Sequence, residues 1–129
     1  MDSPNFDAMT DAEINRWAAE RDGFRVFKSR KGDGWICEAK HFGRAIGFVT
    51  KEDASKHSWW GNPYTRFADN ALALCERWGL KLNLLKQHPT DHWLARMDGQ
   101  PYNSLGPTAS RSITNAACAA RHAKEMADG

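Results

Sequence analysis

Residues 9–28 read MTDAEINRWAAERDGFRVFK, and a change of pattern inside them sets the fold class. Thr10-Asp11-Ala12-Glu13 is a capping box: the Thr hydroxyl can take an orphan amide of the first helical turn, and the Glu side chain can reach back to the cap. Ile14, Trp17 and Ala18 then fall on one helical face. Asp22-Gly23 supplies a stop, because glycine adopts the left-handed conformation that ends a helix without steric cost. Directly after it the period becomes two. Phe24–Ser29 places Phe24 and Val26 on one side of a pleat, with Arg25 and Phe27 on the other.

Moving outward, Trp35–Ala39 alternates in the same way, with Trp35, Cys37 and Ala39 on one face. Lys31-Gly32-Asp33-Gly34 has the residues a hairpin turn needs. Arg44–Thr50 carries Ile46 and Phe48 on one face, with Gly43 and Gly47 as bend points. A three-stranded antiparallel meander is the simplest arrangement. Residues 51–62, KEDASKHSWWGN, break the pattern. Asn62-Pro63 opens a second helix, Asn as cap and Pro at its first position, with Thr65 a rival cap. Its stripe is Phe67, Ala71, Leu74, Cys75 and Trp78, and Gly79 stops it. Lys81–Lys86 and His92–Met97 read as two more strands around the turn His88–Asp91. Gln100–Pro107 reads as irregular. Thr108 or Ser110 caps a last helix to about Met126, with Ile113, Ala117, Ala120 and Lys124 on adjacent turns. The chain is thus expected to be α+β in the order α-β-β-β-α-β-β-α, with helices layered against an antiparallel sheet. Residues 1–8 read as a flexible tail and 9–129 as one domain.

The chain has 129 residues, 41% hydrophobic and 26% charged, which suits one globular domain able to bury a core without disulfide or metal. Cys37, Cys75 and Cys118 are odd in number and far apart, with no CxxC pair. They fit buried thiols in a reducing compartment. The first residues are acidic and polar, unlike a signal peptide, and no run approaches the roughly 20 apolar residues of a membrane helix. A cytoplasmic protein that does not engage a membrane is expected.

The chemistry-bearing residues do not assemble into a motif. His88 and His92 are four apart, but Pro89 lies between them and breaks the helix that zinc ligands at this spacing would need. No GxSxG, Walker or GxGxxG pattern occurs, and the acids are scattered. No catalytic residue, metal or cofactor is therefore assigned. Two surfaces remain. Residues 1–20 hold five acids and one base, whereas residues 21–57 hold nine bases and five acids. Arg25, Lys28, Arg30, Lys31, Lys40 and Arg44 would line a basic sheet face interleaved with Phe27 and Trp35, suited to nucleic acid. Trp59 and Trp60 are adjacent and flanked by His57, Tyr64 and Arg66. Trp, Tyr and Arg dominate protein-interface hot spots, so this group is the candidate protein-binding site. The chain's end, strands followed by Ser-Arg-Ser and an Ala-rich helix, is similar to that of a double-stranded-RNA-binding domain. Arg111 stands alone where that module grips phosphate with a lysine cluster.

Four segments taken in order carry a family resemblance: MTDAEINRWAAERDGF (9–24), NPYTRFADNALALCERWGLKLNLL (62–85), HWLARMDGQ (92–100) and GPTASRSITNAACAARHA (106–123). The chain resembles the phage ABA sandwich domain, a family of small phage and prophage proteins with a helix–sheet–helix layering. Segment 51–61 and the Ser-Arg-Ser lead-in to the last helix depart from the family pattern. The resemblance implies a phage origin and no established catalytic residue. The expected role is a non-enzymatic accessory protein in the host bacterial cytoplasm that binds a host or phage protein complex. Inhibition of a bacterial defence system, anti-CRISPR-like, is its most concrete version. A phage nucleic-acid-binding module using the basic face of residues 21–57 is the alternative.

Overall fold

The computed structural model describes residues 4–28, 35–39, 46–50, 63–87 and 92–128. The turn at 31–34, the bend at Gly43, the loop 51–62 and the turn at 88–91 lie outside the described residues.

Order begins earlier than the sequence suggests. Phe6–Ala8 forms a 3-10 turn, and Phe6 is buried with its ring edge-on to Trp17 at 4.9 Å. The reading of 1–8 as a loose tail is therefore wrong for residues 5–8: one aromatic anchor docks the segment. Helix α1 (Asp11–Arg21) starts at the expected capping box, with Glu13 N donating to Thr10 Oγ1 at 3.2 Å and Thr10 N donating to Glu13 Oε1 at 3.1 Å. It ends at Asp22, and Gly23 takes φ +90°. Ile14, Asn15, Ala18 and Ala19 are its buried face.

Strands β1 (Phe24–Lys28), β2 (Trp35–Ala39) and β3 (Ile46–Thr50) form the expected antiparallel meander in the order β1-β2-β3. Their register sets Val26 opposite Cys37 and Cys37 opposite Phe48. Helix α1 packs against all three strands.

The second helix is two pieces. Helix α2 (Pro63–Arg66) begins with proline at its first position, as read, but breaks at Phe67, whose φ −119° and ψ 112° are extended. Helix α3 (Ala68–Arg77) follows with Ala71, Leu74 and Cys75 buried and Gly79 at φ +67°. Phe67 therefore leaves the predicted stripe and lies at the surface. Bonds from other helices hold α2 in place. Asn15 Oδ1 accepts from Tyr64 N (2.8 Å) and Thr65 N (3.3 Å), and Ser110 Oγ donates to Thr65 O at 2.5 Å. A side chain of α1 thus caps α2 across 49 residues of sequence.

Strands β4 (Leu82–Gln87), β5 (His92–Met97) and β6 (Asn103–Gly106) make a second antiparallel sheet, ordered β4-β5-β6. Strand β6 lies within the stretch read as irregular. Its pattern hides it: Ser104 and Gly106 are buried, and Asn103 and Leu105 are exposed. Helix α4 (Ala109–Asp128) explains the inversion. It packs on β5, β6, α1, α2 and α3, so its neighbours must be small. A Cβ at Gly106 would lie 2.6 Å from Ser112 Oγ, and that hydroxyl donates to Trp93 O at 2.7 Å. Thr108 caps α4, accepting from Arg111 N at 3.2 Å. Ile113, Ala117 and Ala120 are buried as read, along with Cys118.

Gly106→Ala is expected to cost about 2 kcal/mol in urea unfolding, as overpacking of a close contact does. In a Ser112→Ala background the same change should cost under about 1 kcal/mol, because the clashing atom is gone; equal losses in both backgrounds would count against this contact.

Candidate functional site

Arg111 stands alone where a double-stranded-RNA-binding domain carries a phosphate-gripping lysine cluster. The structure turns it inward, with its side chain only 12% exposed. Its Nε donates to Asn115 Oδ1 at 2.8 Å, Nη2 donates to Phe6 O at 3.0 Å and Met9 O at 2.6 Å, and Nη1 bonds Asp11. Four of the five guanidinium N–H groups are thereby engaged within the chain. Asp7 Oδ1 accepts from Tyr102 Oη at 2.7 Å, Asn115 Nδ2 at 2.9 Å and Ser104 Oγ at 3.4 Å. Burial first, and the Asp7 bond second, push the Tyr102 phenol well above its ordinary value. A shallow cleft of about 210 Å³ opens beside these groups, lined by Asp7, Asp11, Arg111, Asn115 and Leu105. It is smaller than a typical small-molecule site, and its polar atoms already hold one another. The cluster staples residues 6–11 to α4 and β6.

A second cluster takes in a predicted interface residue. Tyr64 is 3% exposed, and its hydroxyl donates to Asp22 Oδ2 at 2.6 Å. Arg77 donates to the same carboxylate from Nε (2.8 Å) and Nη2 (2.6 Å). The Asp22 bond holds the Arg77 guanidinium more firmly protonated than usual. The assignment of Tyr64 to a protein-binding surface is thus corrected: it joins α2 to the end of α1. Arg66 is exposed, its guanidinium 5.7 Å from the Phe67 ring. His57, Trp59 and Trp60 lie outside the described residues, as do Arg30, Lys31, Lys40 and Arg44. Arg25 and Lys28 belong to β1, opposite Glu38 and Trp35.

Cys75 and Cys118 are buried and free, as their places on packing faces suggest. Burial pushes the Cys75 thiol up to about 11 and the Cys118 thiol up as well. Both stay protonated at neutral pH, unlike a nucleophilic thiolate. Among the described residues no cluster of His, Cys, Asp and Glu is placed to hold a metal, and no helix is long and apolar enough to cross a membrane.

The surface feature that the sequence reading missed lies on the second sheet. The ladder sets Leu85 opposite Leu94 and Leu94 opposite Leu105. The three side chains form a row across the outer face, with Leu85 61% and Leu105 54% exposed. The next row is Asn83, Arg96 and Asn103, all exposed. No carboxylate stands on the outward positions of these strands. A signal for it exists in the sequence: in a strand, the neighbours Leu84 and Leu85 must face opposite ways, so one of them leaves the core.

Comparison of the chain with protein-family models, curated proteins and solved structures gives no match.

Three outcomes follow. Arg111→Gln should lower unfolding free energy by about 3 kcal/mol, and Arg111→Lys should recover little of it, since an ammonium cannot span four divergent acceptors. Urea midpoints check this; full rescue by lysine would mean that charge alone matters. In native protein at pH 8, Cys75 and Cys118 should resist alkylation and react only after denaturation, read by peptide mass spectrometry. Between pH 9 and 11 stability should fall as pH rises, because the unfolded chain gives up the Cys75 proton first.

Proposed function

We propose that this chain is a non-enzymatic protein-binding domain that acts by covering a partner's surface with the outer face of its second sheet. The leucine row Leu85–Leu94–Leu105 beside Arg96 carries the reading. Apolar side chains in register on a rigid sheet supply a desolvated centre, and Arg96 with two asparagines supplies a polar border. The absence of acids from that face favours a partner surface with an apolar patch edged by carboxylates or amide oxygens.

The resemblance to the phage ABA sandwich domain gives this binding a biological form. On that reading the chain is a phage or prophage accessory protein working in the host bacterial cytoplasm, and the partner is a host or phage protein complex. Inhibition of a defence system of the CRISPR-Cas type, by occlusion and without chemistry, is the version that best suits a small rigid binding face. The inward engagement of Arg111 weighs against phosphate recognition at the start of α4.

Affinity purification from host lysate with wild type and with a Leu85→Ser/Leu105→Ser double variant is the test. A protein retained by the wild type should, once purified, bind it saturably and bind the variant at least about tenfold more weakly, with melting temperatures within a few degrees, as for truncation of surface anchors. Equal affinity for both would place the interface elsewhere. Capture of nucleic acid with a steep salt dependence would instead favour the basic-face alternative.

A further inference from the structure

The leucine row leads into the cleft beside the Arg111 cluster. Leu105, the last member of the row, also lines that cleft, so the outer face of the second sheet continues past β6 to residues 7–11. The cleft has two kinds of wall. Met9, Leu105 and Pro107 are apolar, and Asp7 and Asp11 bring carboxylates. Arg111 is the cation among its described lining residues. Two carboxylates against one guanidinium leave a negative charge over.

The acids are the accessible part of this lining. The Asp11 side chain is 52% exposed against 12% for Arg111, and Asp7 is also exposed. A carboxylate offers about four acceptor positions, and the Arg111 bond takes one of them at Asp11. The cation is thus turned into the fold while the carboxylates border the opening. A volume of about 210 Å³ falls short of a typical small-molecule site but suits a single long side chain. Lysine and arginine have the matching build, a hydrocarbon stem that packs on apolar surface and a charged head that stays at its rim.

We infer that this cleft receives a lysine or arginine side chain of the partner that covers the leucine row, an inference that rests on the binding role proposed for that face. The stem packs on Met9, Leu105 and Pro107, and the head meets Asp11 and Asp7. Charge selects the occupant. An acidic side chain would meet two carboxylates, and an aliphatic one would strip water from them and give nothing back. The face then has two poles. Arg96 and its ladder partner Asn103 stand on one side of the row, two residues before Leu105 on β6. Pro107 and the cleft stand on the other side. A partner with a carboxylate for Arg96 and a cation for the cleft can sit in one direction only, because the reverse sets like charges together. Bonds from Tyr102, Asn115 and Arg111 hold the two acids in place before the partner arrives. Asp7 and Asp11 are thereby specificity-determining residues.

Butylammonium and butylguanidinium carry the two heads on a short stem, and uncharged butyramide is their control. Amide chemical shifts of isotope-labelled protein are followed at low salt. At least one cation should move Asp11, Leu105, Gly106 and Arg111 saturably, with a Kd of about 10–100 mM, as for one exposed ion pair with a short stem. Butyramide should not, and about 0.5 M salt should weaken the cation further. Asp11→Asn keeps an acceptor for Arg111 and should weaken the cation about threefold. Leu85→Ser, at the far end of the row, should leave it unchanged. A partner captured from lysate should bind Asp11→Asn at least about fivefold more weakly than wild type, since that pair is desolvated in the complex. No shift with either cation, equal shifts with butyramide, or a partner indifferent to Asp11→Asn would overturn the inference. If Asp11→Asn fails to fold, the cations against butyramide in wild type decide it. The two readings fail separately: a partner that binds Leu85→Ser/Leu105→Ser as well as wild type removes the leucine face, and cations that do not bind wild type remove the cleft.

Discussion

Helix α4 is enclosed by three strands and three helices, and a helix so placed can turn only small side chains toward its neighbours. Nine of its residues are buried, and apart from Ile113 they are Ser, Thr, Asn, Ala and Cys. Close approach has a polar consequence. Short hydroxyl and amide side chains come within reach of neighbouring backbone, and a buried polar group left unpaired costs about 1–3 kcal/mol. The helix meets this by bonding outward. Ser110 reaches α2, Ser112 reaches β5, and Thr114 returns to its own helix at Ser110 O with 2.7 Å. The packing and the hydrogen-bond network are therefore one constraint seen twice.

The same constraint governs the elements around the helix. Because Gly106 meets Ser112, β6 must turn its small residues inward and Leu105 outward. Because the N-terminal amides of α2 are capped by Asn15 and one of its carbonyls by Ser110, α2 can be a single turn that stops at Phe67. A four-residue helix has little stability of its own; here the bonds from α1 and α4 define it. The Arg111 cluster extends the pattern to residues 6–11, held against α4 by charge-assisted bonds that one compact side chain could not all make.

Local signals made most of the fold legible. The capping box at Thr10, the glycines at 23 and 79 and the alternation in His92–Met97 act within a few residues, and the structure follows them. What could not be read depends on partners distant in sequence. Phe6 looks like part of a tail until Trp17 is seen against it. Strand β6 looks irregular because its buried side is Ser and Gly, which signal a core only when the approaching helix is known. The candidate site suffered a related ambiguity. Tyr is favoured at interfaces and also where its hydroxyl finds a partner inside a fold, and residue type alone did not tell Tyr64 from a surface anchor. Leu85 is different, since the adjacent leucines of β4 already force one of them outward.

That last case separates what folding requires from what it merely permits. The core side of the second sheet is satisfied by Ala95, Met97 and Ser104, with Leu82 and Leu84 partly buried against it. The register then dictates that positions 85, 94 and 105 share the outer face, but it dictates nothing about their chemistry. Threonine or a charged residue at 85 and 105 would serve a solvated strand as well and would blunt the sheet against unwanted partners. Three leucines in one row, two of them more than half exposed, leave apolar surface in water with no return within the monomer. Single exposed leucines are ordinary on protein surfaces; three in register on one sheet face make a continuous apolar surface. Helix α4 and its polar contacts tie the elements around it together, and the outer face of the second sheet is where residues depart from what that packing needs.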